Sequence, residues 1–343
     1  MDMHNPHDRL FKTTWSDRNS ARNFFQHYLP PDLLKLIDLD TLQLCTESFI
    51  EEDLQEYRCD LLYKTTIDGR PGYLYFLFEH KSHADPDVAL QLLGYMRAIW
   101  HLYRKQEAGG ARAPLPVIVP LVLYHGRNAW TCGDDLLSRF EQPATCLLRH
   151  IPNFQFVLID LSRYSDAEIQ GEALLRASLL LFKYVFTPEY RDRLPGIFAL
   201  LKSLVESTTG MQYIETIIRY VLSTLEDAGG TGTLKKVVEE SLSKDKGDMV
   251  MTIAETLYKE GLERGIQQGI QQGIQQGIQQ GIHQGLVNAI ELGLEIKFGA
   301  QASYLFASIR QLTDVDRLKA IREAIRIGAS LKDIEEMIIA HQA

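Results

Sequence analysis

Apolar positions along the first half of the chain follow strand-like and helix-like spacings in turn. The most informative run is YLYFLFEHKS at 73–82, where six consecutive apolar or aromatic residues lead directly into Glu79, His80 and Lys81. Such a run predicts a strand that is buried on both faces. Because burying a charge is costly unless the charge is paired or binds a metal, the polar end must lie at the surface or form a site.

The segments before this run predict helices followed by strands. Helix-spaced apolar residues over 7–28 indicate one or two helices that end at Pro30-Pro31. Partial alternation of polar and apolar residues predicts a strand at 41–50. A further strand at 56–67 precedes Asp68-Gly69 and Pro71-Gly72, which are strong turn dipeptides. These residues therefore predict a β-hairpin whose second strand is the 73–82 run.

A helix and two more buried strands complete the pattern of the first half. The helix is predicted from Asp85 to about Glu107, with its apolar residues on one face, and Gly109-Gly110 stops it. PVIVPLVLYH at 116–125 and FQFVLIDLS at 154–162 read as strands. The order α-β-β-β-α-β with a later strand predicts an α/β domain with a mixed sheet.

The remainder of the chain is predicted to be helical. Helical spacing covers about 165–225, and the Gly-rich segment 227–233 is the clearest linker. The prediction is therefore a first domain at 1–226 and a helical region at 234–343.

A tandem repeat dominates the second region, since GIQQ occurs four times from Gly265 to Gln280 and GIHQ follows at 281–284. A four-residue period on a helix places the glycines on a stripe that drifts by about 40° per repeat. Each interior glycine costs roughly 0.5–1 kcal/mol relative to alanine, so an isolated helix is disfavoured. One explanation is close helix–helix packing that produces a homo-oligomer. The other is a repeat that expanded at the DNA level and is tolerated as a flexible helix or linker.

Composition narrows the class of protein. The formal net charge of −9 argues against a nucleic-acid partner unless a local basic surface exists. The four cysteines show no zinc spacing and fit a reducing compartment. The N-terminus lacks a secretory signal, and the most apolar run, 115–124, is too short to span a membrane. The sequence therefore predicts a soluble, cytoplasmic protein.

A DNA-binding surface would need a set of basic residues to converge on one face. These are Lys12, Arg18, Arg22, Arg97, Arg104, Lys105, Arg112 and Arg127.

The predicted hairpin carries the candidate chemistry. Asp60 lies in its first strand, and Glu79 and Lys81, two residues apart, share one face of the second. With the fold-back near Arg70, an odd-length turn would set Asp60 against His80 on the wrong face. An even-length turn or a bulge would set Asp60 beside Glu79 and Lys81, and this second arrangement is the one we predict.

Two carboxylates and a lysine in this arrangement suit the hydrolysis of phosphodiesters. Oxygen ligands from Asp60 and Glu79 suit Mg²⁺ or another divalent cation such as Mn²⁺ or Ca²⁺. The cation would polarise the phosphate and activate a water molecule, and Lys81 would orient that water or stabilise the developing charge.

Four motifs in order resemble the recombination-promoting nuclease (Rpn) family, long labelled as transposases, within the PD-(D/E)xK nuclease superfamily. They are HDRLFK at 7–12, RCDLLYK at 58–64, LFEHKS at 77–82 and QLLGYM at 91–96. The glycine repeat and the helical tail are also similar to that family. The resemblance implies a restriction-endonuclease-like mixed β-sheet core flanked by helices, followed by a helical C-terminal region.

The resemblance also implies an activity and a set of residues. The implied activity is a metal-dependent DNA endonuclease that promotes recombination. Asp60, Glu79 and Lys81 match the catalytic positions, Asp8 matches an additional acid on the first helix, and Gln91 matches a polar residue on the helix after the lysine. Cys59 replaces the proline of the superfamily pattern, which is not a metal ligand.

Other interpretations of the same residues remain open. A strand-end Glu-x-Lys pair can be a surface ion pair, and Asp8 can be an acid favoured by the helix dipole. His80 and His83 are expected to be solvated. The alternative function is a catalytically inactive nuclease-fold protein that acts as an oligomeric DNA-binding or assembly module. A DDE-type transposase is disfavoured, since its three acids usually spread over a longer chain.

Overall fold

The structure is a computed structural model that describes residues 5–45, 61–79, 84–106, 114–225 and 230–339. The chain divides into two compact units, Met1–Leu257 and Tyr258–Ala343.

The first unit contains a five-stranded mixed sheet whose strands lie in chain order. The strands are β1 Ile37–Leu44, β2 Leu61–Ile67, β3 Arg70–Glu79, β4 Val117–Tyr124 and β5 Val157–Asp160. β1, β2 and β3 pair antiparallel, whereas β3, β4 and β5 pair parallel. This arrangement confirms the predicted α/β class, with a mixed sheet flanked by helices.

Twelve α-helices occur in the described residues. They are α1 Pro6–Ser16, α2 Arg18–Tyr28, α3 Pro31–Leu34, α4 Val88–Gln106, α5 Ala173–Tyr184, α6 Tyr190–Leu200, α7 Thr208–Thr224, α8 Gly230–Ser241, α9 Lys244–Phe298, α10 Phe306–Gln311, α11 Val315–Ile327 and α12 Leu331–Ile339. Capping side chains fix the first boundaries, because Asn5 accepts from the backbone N–H of His7 and Asp17 accepts from that of Ser20. No helix in this part of the chain is long and apolar enough to cross a membrane.

The turn between β2 and β3 consists of two residues, Asp68 and Gly69, with φ of 50° and 71°. Positive φ at both positions matches the twist of a tight hairpin, and glycine tolerates it without steric cost. The chain therefore folds back one to two residues before the predicted point near Arg70, and Arg70 already pairs with Ile67. β1 also begins earlier than predicted, and the second half of the predicted 41–50 strand lies outside the described residues.

β3 is buried on both faces, as its apolar run predicted. Leu74, Phe76 and Phe78 belong to the core formed with α1, α2 and α5. Tyr73, Tyr75 and Leu77 belong to a second core, formed with α4. The alternation follows from the two-residue period of a strand, so the two neighbouring cores share one strand.

Aromatic rings fill the first core around Phe76. Its ring centroid lies 4.9 Å from Phe24, 5.1 Å from Phe11, and 5.8 Å from both Trp15 and Phe25. All five side chains are fully buried. The N-terminal aromatic residues therefore belong to the hydrophobic core of the first unit.

Residues 230–233 of the segment proposed as a linker belong to a packed helix. α8 begins at Gly230, and its Leu234 and Val238 are buried in the first core together with Val250 and Ile253 of α9. The compact first unit accordingly extends to Leu257.

The second unit has a core of its own. Leu286, Val287, Ile290 and Leu294 of α9 pack with apolar residues of the following helices. These partners are Ala302, Leu305, Ile309, Leu318, Ile321, Ile334 and Ile338.

The GIQQ repeat lies within α9, a continuous helix of 55 residues. The isoleucines at its four-residue positions, from Ile266 to Ile278, are 57–58% exposed, and Ile282 is 48% exposed. A Cβ added at any glycine from Gly261 to Gly285 would meet no atom within 4 Å. Within the described chain, therefore, the repeat keeps both the apolar surface and the glycine surface open.

Truncating the central ring tests the packing of the first core. Phe76→Ala is expected to lower the free energy of unfolding by about 3–5 kcal/mol, because it opens a cavity among four other rings. Urea unfolding followed by circular dichroism measures the change. Phe140→Ala, which removes a ring that is 41% exposed, is the matched control and should cost far less. Equal losses in the two variants would contradict this account of the core.

Candidate active site

Glu79 is the last residue of β3, and its side chain is buried, with 4% exposure. In the parallel register Glu79 pairs with Tyr124, and Tyr124 pairs with Asp160. Paired residues of a sheet point to the same side, so this row of three polar side chains lies on the α4 side. The buried acid Glu79 therefore lies at the end of β3, in a row of polar side chains at the carboxyl edge of the sheet.

Tyr124 lies between the two acids of this row and is fully buried. Its hydroxyl donates to the carbonyl oxygen of Asn128 at 3.0 Å. Burial raises the pKa of the Tyr124 phenol above its ordinary value, and the negative charges of Asp160 and Glu79 raise it further. The phenol therefore stays protonated and able to donate.

Asp160 is a buried acid whose oxygens are occupied by neighbouring donors. It accepts from the backbone N–H of Trp130 at 2.8 Å and from the N–H and hydroxyl of Ser162 at 3.0 and 2.7 Å. The Nε of Arg163 lies 3.1 Å away. These contacts hold the segment after β4 against the end of β5, so the role of Asp160 is structural.

Gln91 lies at the start of α4, on the same side of the sheet as Glu79. Tyr95, one turn further along α4, lies with its ring 4.9 Å from that of Tyr75. Because α4 returns antiparallel to β3, Gln91 is one turn closer than Tyr95 to the carboxyl edge. Asp85 positions this helix start by accepting from the N–H of Asp87 at 2.9 Å.

Asp8 approaches the same edge from the other side of the sheet. It lies in the first turn of α1, is half-buried, and has a buried Oδ1. One turn further on, Phe11 stacks on Phe78 at 4.5 Å, and Trp15 lies over Phe76. α1 therefore runs away from the carboxyl edge, which leaves its N-terminal turn at that edge.

Two histidines and an arginine lie beside this turn. The rings of His7 and His125 are 5.0 Å apart, and His7 Nδ1 is 3.1 Å from the hydroxyl of Tyr220. His125 is stacked between Phe78 and Phe186, and the guanidinium of Arg127 lies 5.8 Å from the Phe186 ring. An exposed cation is thus held at the carboxyl edge of the sheet.

The structure therefore places three of the five predicted site residues, Glu79, Asp8 and Gln91, at one edge. Asp60 and Lys81 lie outside the described residues, as do His80 and His83. The hairpin turn is even in length, and Leu62 pairs with Tyr75, both contributing to the α4-side core. Even-numbered residues of β2 thus share a face with odd-numbered residues of β3. This is the relation that the predicted grouping of Asp60 with Glu79 and Lys81 requires, and the grouping itself remains a prediction.

Sequence reasoning did not identify the polar residues at the ends of β4 and β5. Tyr124 and His125 follow a buried run, and Asp160 follows another, in the same way that Glu79 follows β3. Carboxyl ends of parallel strands meet at one edge of a sheet, so this recurrence was the available signal. Among the described residues there is no group of three His, Cys, Asp or Glu side chains suited to hold a metal ion.

Comparison with known proteins identifies the family to which this chain is similar. Residues 5–212 match the family model described as "Putative transposase, YhgA-like". The chain is 30% identical over 258 residues to Recombination-promoting nuclease RpnD of Escherichia coli O157:H7, covering 74% of this chain and 95% of the relative. It is 32% identical over 258 residues to Recombination-promoting nuclease RpnA of Escherichia coli strain K12, covering 75% and 84%.

A relative with a different name is equally similar. The "Inactive recombination-promoting nuclease-like protein RpnE" of Escherichia coli strain K12 is 32% identical over 258 residues, covering 75% of this chain and 82% of the relative. No solved structure matches the chain. The match to the family model spans α1, the whole sheet and the start of α7, and thus every element that positions the candidate site. The chain therefore belongs to the YhgA-like family, together with relatives named as recombination-promoting nucleases.

Proposed function

We propose that the first unit is a metal-dependent endonuclease that hydrolyses phosphodiester bonds of DNA and promotes recombination in the cytoplasm. The observation that carries the proposal is the buried carboxylate of Glu79 at the carboxyl edge of the sheet, where the N-terminal turns of α1 and α4 also lie. Both helix N-termini favour a negatively charged ligand at this edge. The names of the matched relatives RpnD and RpnA, each printed as a recombination-promoting nuclease, support the coarser part of the proposal, a nuclease that promotes recombination.

The proposed ligands are oxygen atoms. The carboxylates of Asp60 and Glu79, with Asp8 as an additional acid, are donors of the kind that Mg²⁺, Mn²⁺ or Ca²⁺ prefers. The described residues alone do not form a three-ligand cluster, so the proposed site depends on Asp60. A bound cation would polarise the scissile phosphate and lower the pKa of a water molecule.

The chain's own residues have separate roles in this proposal. Lys81 orients the attacking water or stabilises the charge that develops on the phosphate. Gln91 offers an amide, which can accept from the water or donate to a phosphate oxygen. Arg127, held near the Phe186 ring, adds positive charge at the edge where the phosphate would lie.

Plasmid cleavage tests this assignment. Supercoiled plasmid is incubated with the protein and Mg²⁺, Mn²⁺ or Ca²⁺, and nicked and linear products are quantified on gels. Asp60→Ala, Glu79→Gln and Lys81→Ala are each expected to reduce the cleavage rate by about 10²-fold or more, because each removes a group that acts directly on the reacting phosphate or its metal. Glu79→Gln preserves side-chain volume, so loss of folding is not expected to explain its effect.

An exposed acid provides the matched control. Glu141→Gln makes the same chemical change at an exposed position and should cleave like the wild type. Cleavage that persists at the wild-type rate in Asp60→Ala and Lys81→Ala would exclude the proposed site.

The inactive relative favours a second candidate function. RpnE, as similar to this chain as RpnA, is named inactive. The alternative is therefore an oligomeric DNA-binding or assembly module on a nuclease fold without catalysis. No cleavage by any form of the protein, under all three cations, would favour this alternative.

We propose further that the repeat of α9 mediates self-association. Exposed isoleucines recur at every fourth residue, and the neighbouring glycines leave room for a second helix. Two copies of the same uncharged surface can pack without electrostatic repulsion. Burial of the isoleucines would offset the helix cost of the glycines, which amounts to several kcal/mol at about 0.5–1 kcal/mol each.

Polar substitutions on the repeat test this proposal. Replacing Ile266, Ile270, Ile274 and Ile278 by Gln should shift the protein to a smaller species in light scattering, because the substitutions remove the apolar surface. Replacing Gln268, Gln272, Gln276 and Gln280 by Ala is the matched control and should leave the mass unchanged. An unaltered mass in the isoleucine variant, and after deletion of 261–286, would rule out self-association through the repeat.

A further inference from the structure

α4 combines a buried apolar face with an outer face that carries only positive formal charge. Val88, Leu92, Tyr95, Met96 and Ile99 pack in the second core. The helix sequence contains no Asp or Glu between Val88 and Gln106, although the whole chain carries a formal charge of −9. This helix therefore departs from the acidic balance of the protein.

Three of the exposed residues of α4 lie in one line along the helix. Arg97, His101 and Arg104 are exposed, and at about 100° per residue they lie within roughly 60° of one another. Arg97 and Arg104 are separated by about 10 Å along the axis. Successive phosphates of one DNA strand advance by about 3.4 Å along the duplex, so the two guanidinium groups can reach phosphates of one strand.

Two of these cations have no acidic partner in the described part of the chain. Neither Arg97 nor Arg104 forms an ion pair or a hydrogen bond there, whereas several other surface cations of the first unit do. Arg22 pairs with Asp40 at 2.7 Å, and Arg139 pairs with Asp87 at 3.0 Å. The donors of Arg97 and Arg104 are therefore available to an external anion.

Stabilisation of the helix does not explain the positions of all the cations on the outer face of α4. Cations in the last turn of a helix favour its dipole, which accounts for the position of Arg104 and of Lys105. Arg97 lies in the middle of α4, where the dipole gives no such advantage. The dipole therefore does not account for Arg97.

The direction of α4 connects this line to the candidate site. The helix begins at the carboxyl edge that carries Glu79 and extends away from it, so the cations follow a path that leads from the site. We propose that the outer face of α4, with Arg97 and Arg104 as anchors, binds the phosphate backbone of duplex DNA beside the cleavage site. The identification of the ligand as DNA rests on the proposed function. The positions of the cations are independent of that function.

DNA binding measured without catalysis tests this inference. Fluorescence anisotropy of a labelled random-sequence 30-bp duplex is recorded with the full-length protein in EDTA, between about 50 and 200 mM salt. Arg97→Ala/Arg104→Ala should weaken binding on the order of tenfold at low salt and reduce the slope of log K against log salt by about 1.8, since each phosphate contact contributes about 0.9.

Two matched variants separate position from net charge. Arg97→Lys/Arg104→Lys keeps both charges and should retain most of the affinity. Arg70→Ala/Lys202→Ala removes two exposed cations elsewhere in the first unit and should bind like the wild type. Thermal unfolding confirms that each variant is folded.

The outcomes are separable from those of the cleavage assay. Wild-type binding with the expected variant pattern but without cleavage would support the α4 surface and overturn the nuclease activity. Cleavage with unchanged binding by Arg97→Ala/Arg104→Ala would overturn the α4 surface alone. Absence of DNA binding, or a variant-sensitive affinity for anionic lipid vesicles only, would also overturn it.

Discussion

The burial of β3 on both faces is the constraint on which the rest of the first unit depends. Its alternate side chains enter two different cores, so α1, α2 and α5 must cover one face and α4 the other. A strand enclosed in this way gives no access to solvent along its length. Only its ends can carry polar chemistry, and the carboxyl end carries Glu79, which is itself almost fully buried. A carboxylate in that position must be stabilised by its surroundings, and this requirement makes the edge a candidate site.

The parallel half of the sheet concentrates polar groups at the same edge. Glu79, Tyr124 and Asp160 end three neighbouring strands in register. The helices α1 and α4 both run antiparallel to β3, so their N-terminal turns, with Asp8 and Gln91, lie at this edge too. The antiparallel half contributes differently, because its two-residue turn fixes which residues of β2 share a face with Glu79. Sheet topology thus brings together Asp8, Glu79 and Gln91, which come from three of the four sequence motifs.

The sequence predicted the site's framework where local patterns are strong. The apolar run of β3 required burial on both faces, and Asp85-Pro86 together with the spacing of Leu92 and Met96 identified α4 and its buried face. The turn was misplaced by one to two residues because Pro71-Gly72 is also a strong turn dipeptide, and only the pairing of Arg70 with Ile67 decides between them. The structural role of Asp160 was not predictable, because its donors Trp130 and Ser162 come from two separate segments whose contact depends on the tertiary fold.

Exposed apolar side chains recur at a fixed spacing on α9. The aromatic rings packed around Phe76 are fully buried in the first core, whereas the isoleucines of α9 from Ile266 to Ile278 stay exposed at every fourth residue. No formal charge occurs between Arg264 and Glu291, so nothing in this surface selects a partner of complementary charge. The stripe also drifts around the helix, since four residues exceed one turn of 3.6. Two straight helices that follow such stripes can stay in contact only over a few repeats, with the i and i+4 ridges crossing at an angle. Additional repeats would then add equivalent registers in which two helices can pack, and would lengthen any one contact only slightly. The fold of the first unit therefore does not constrain the number of repeats.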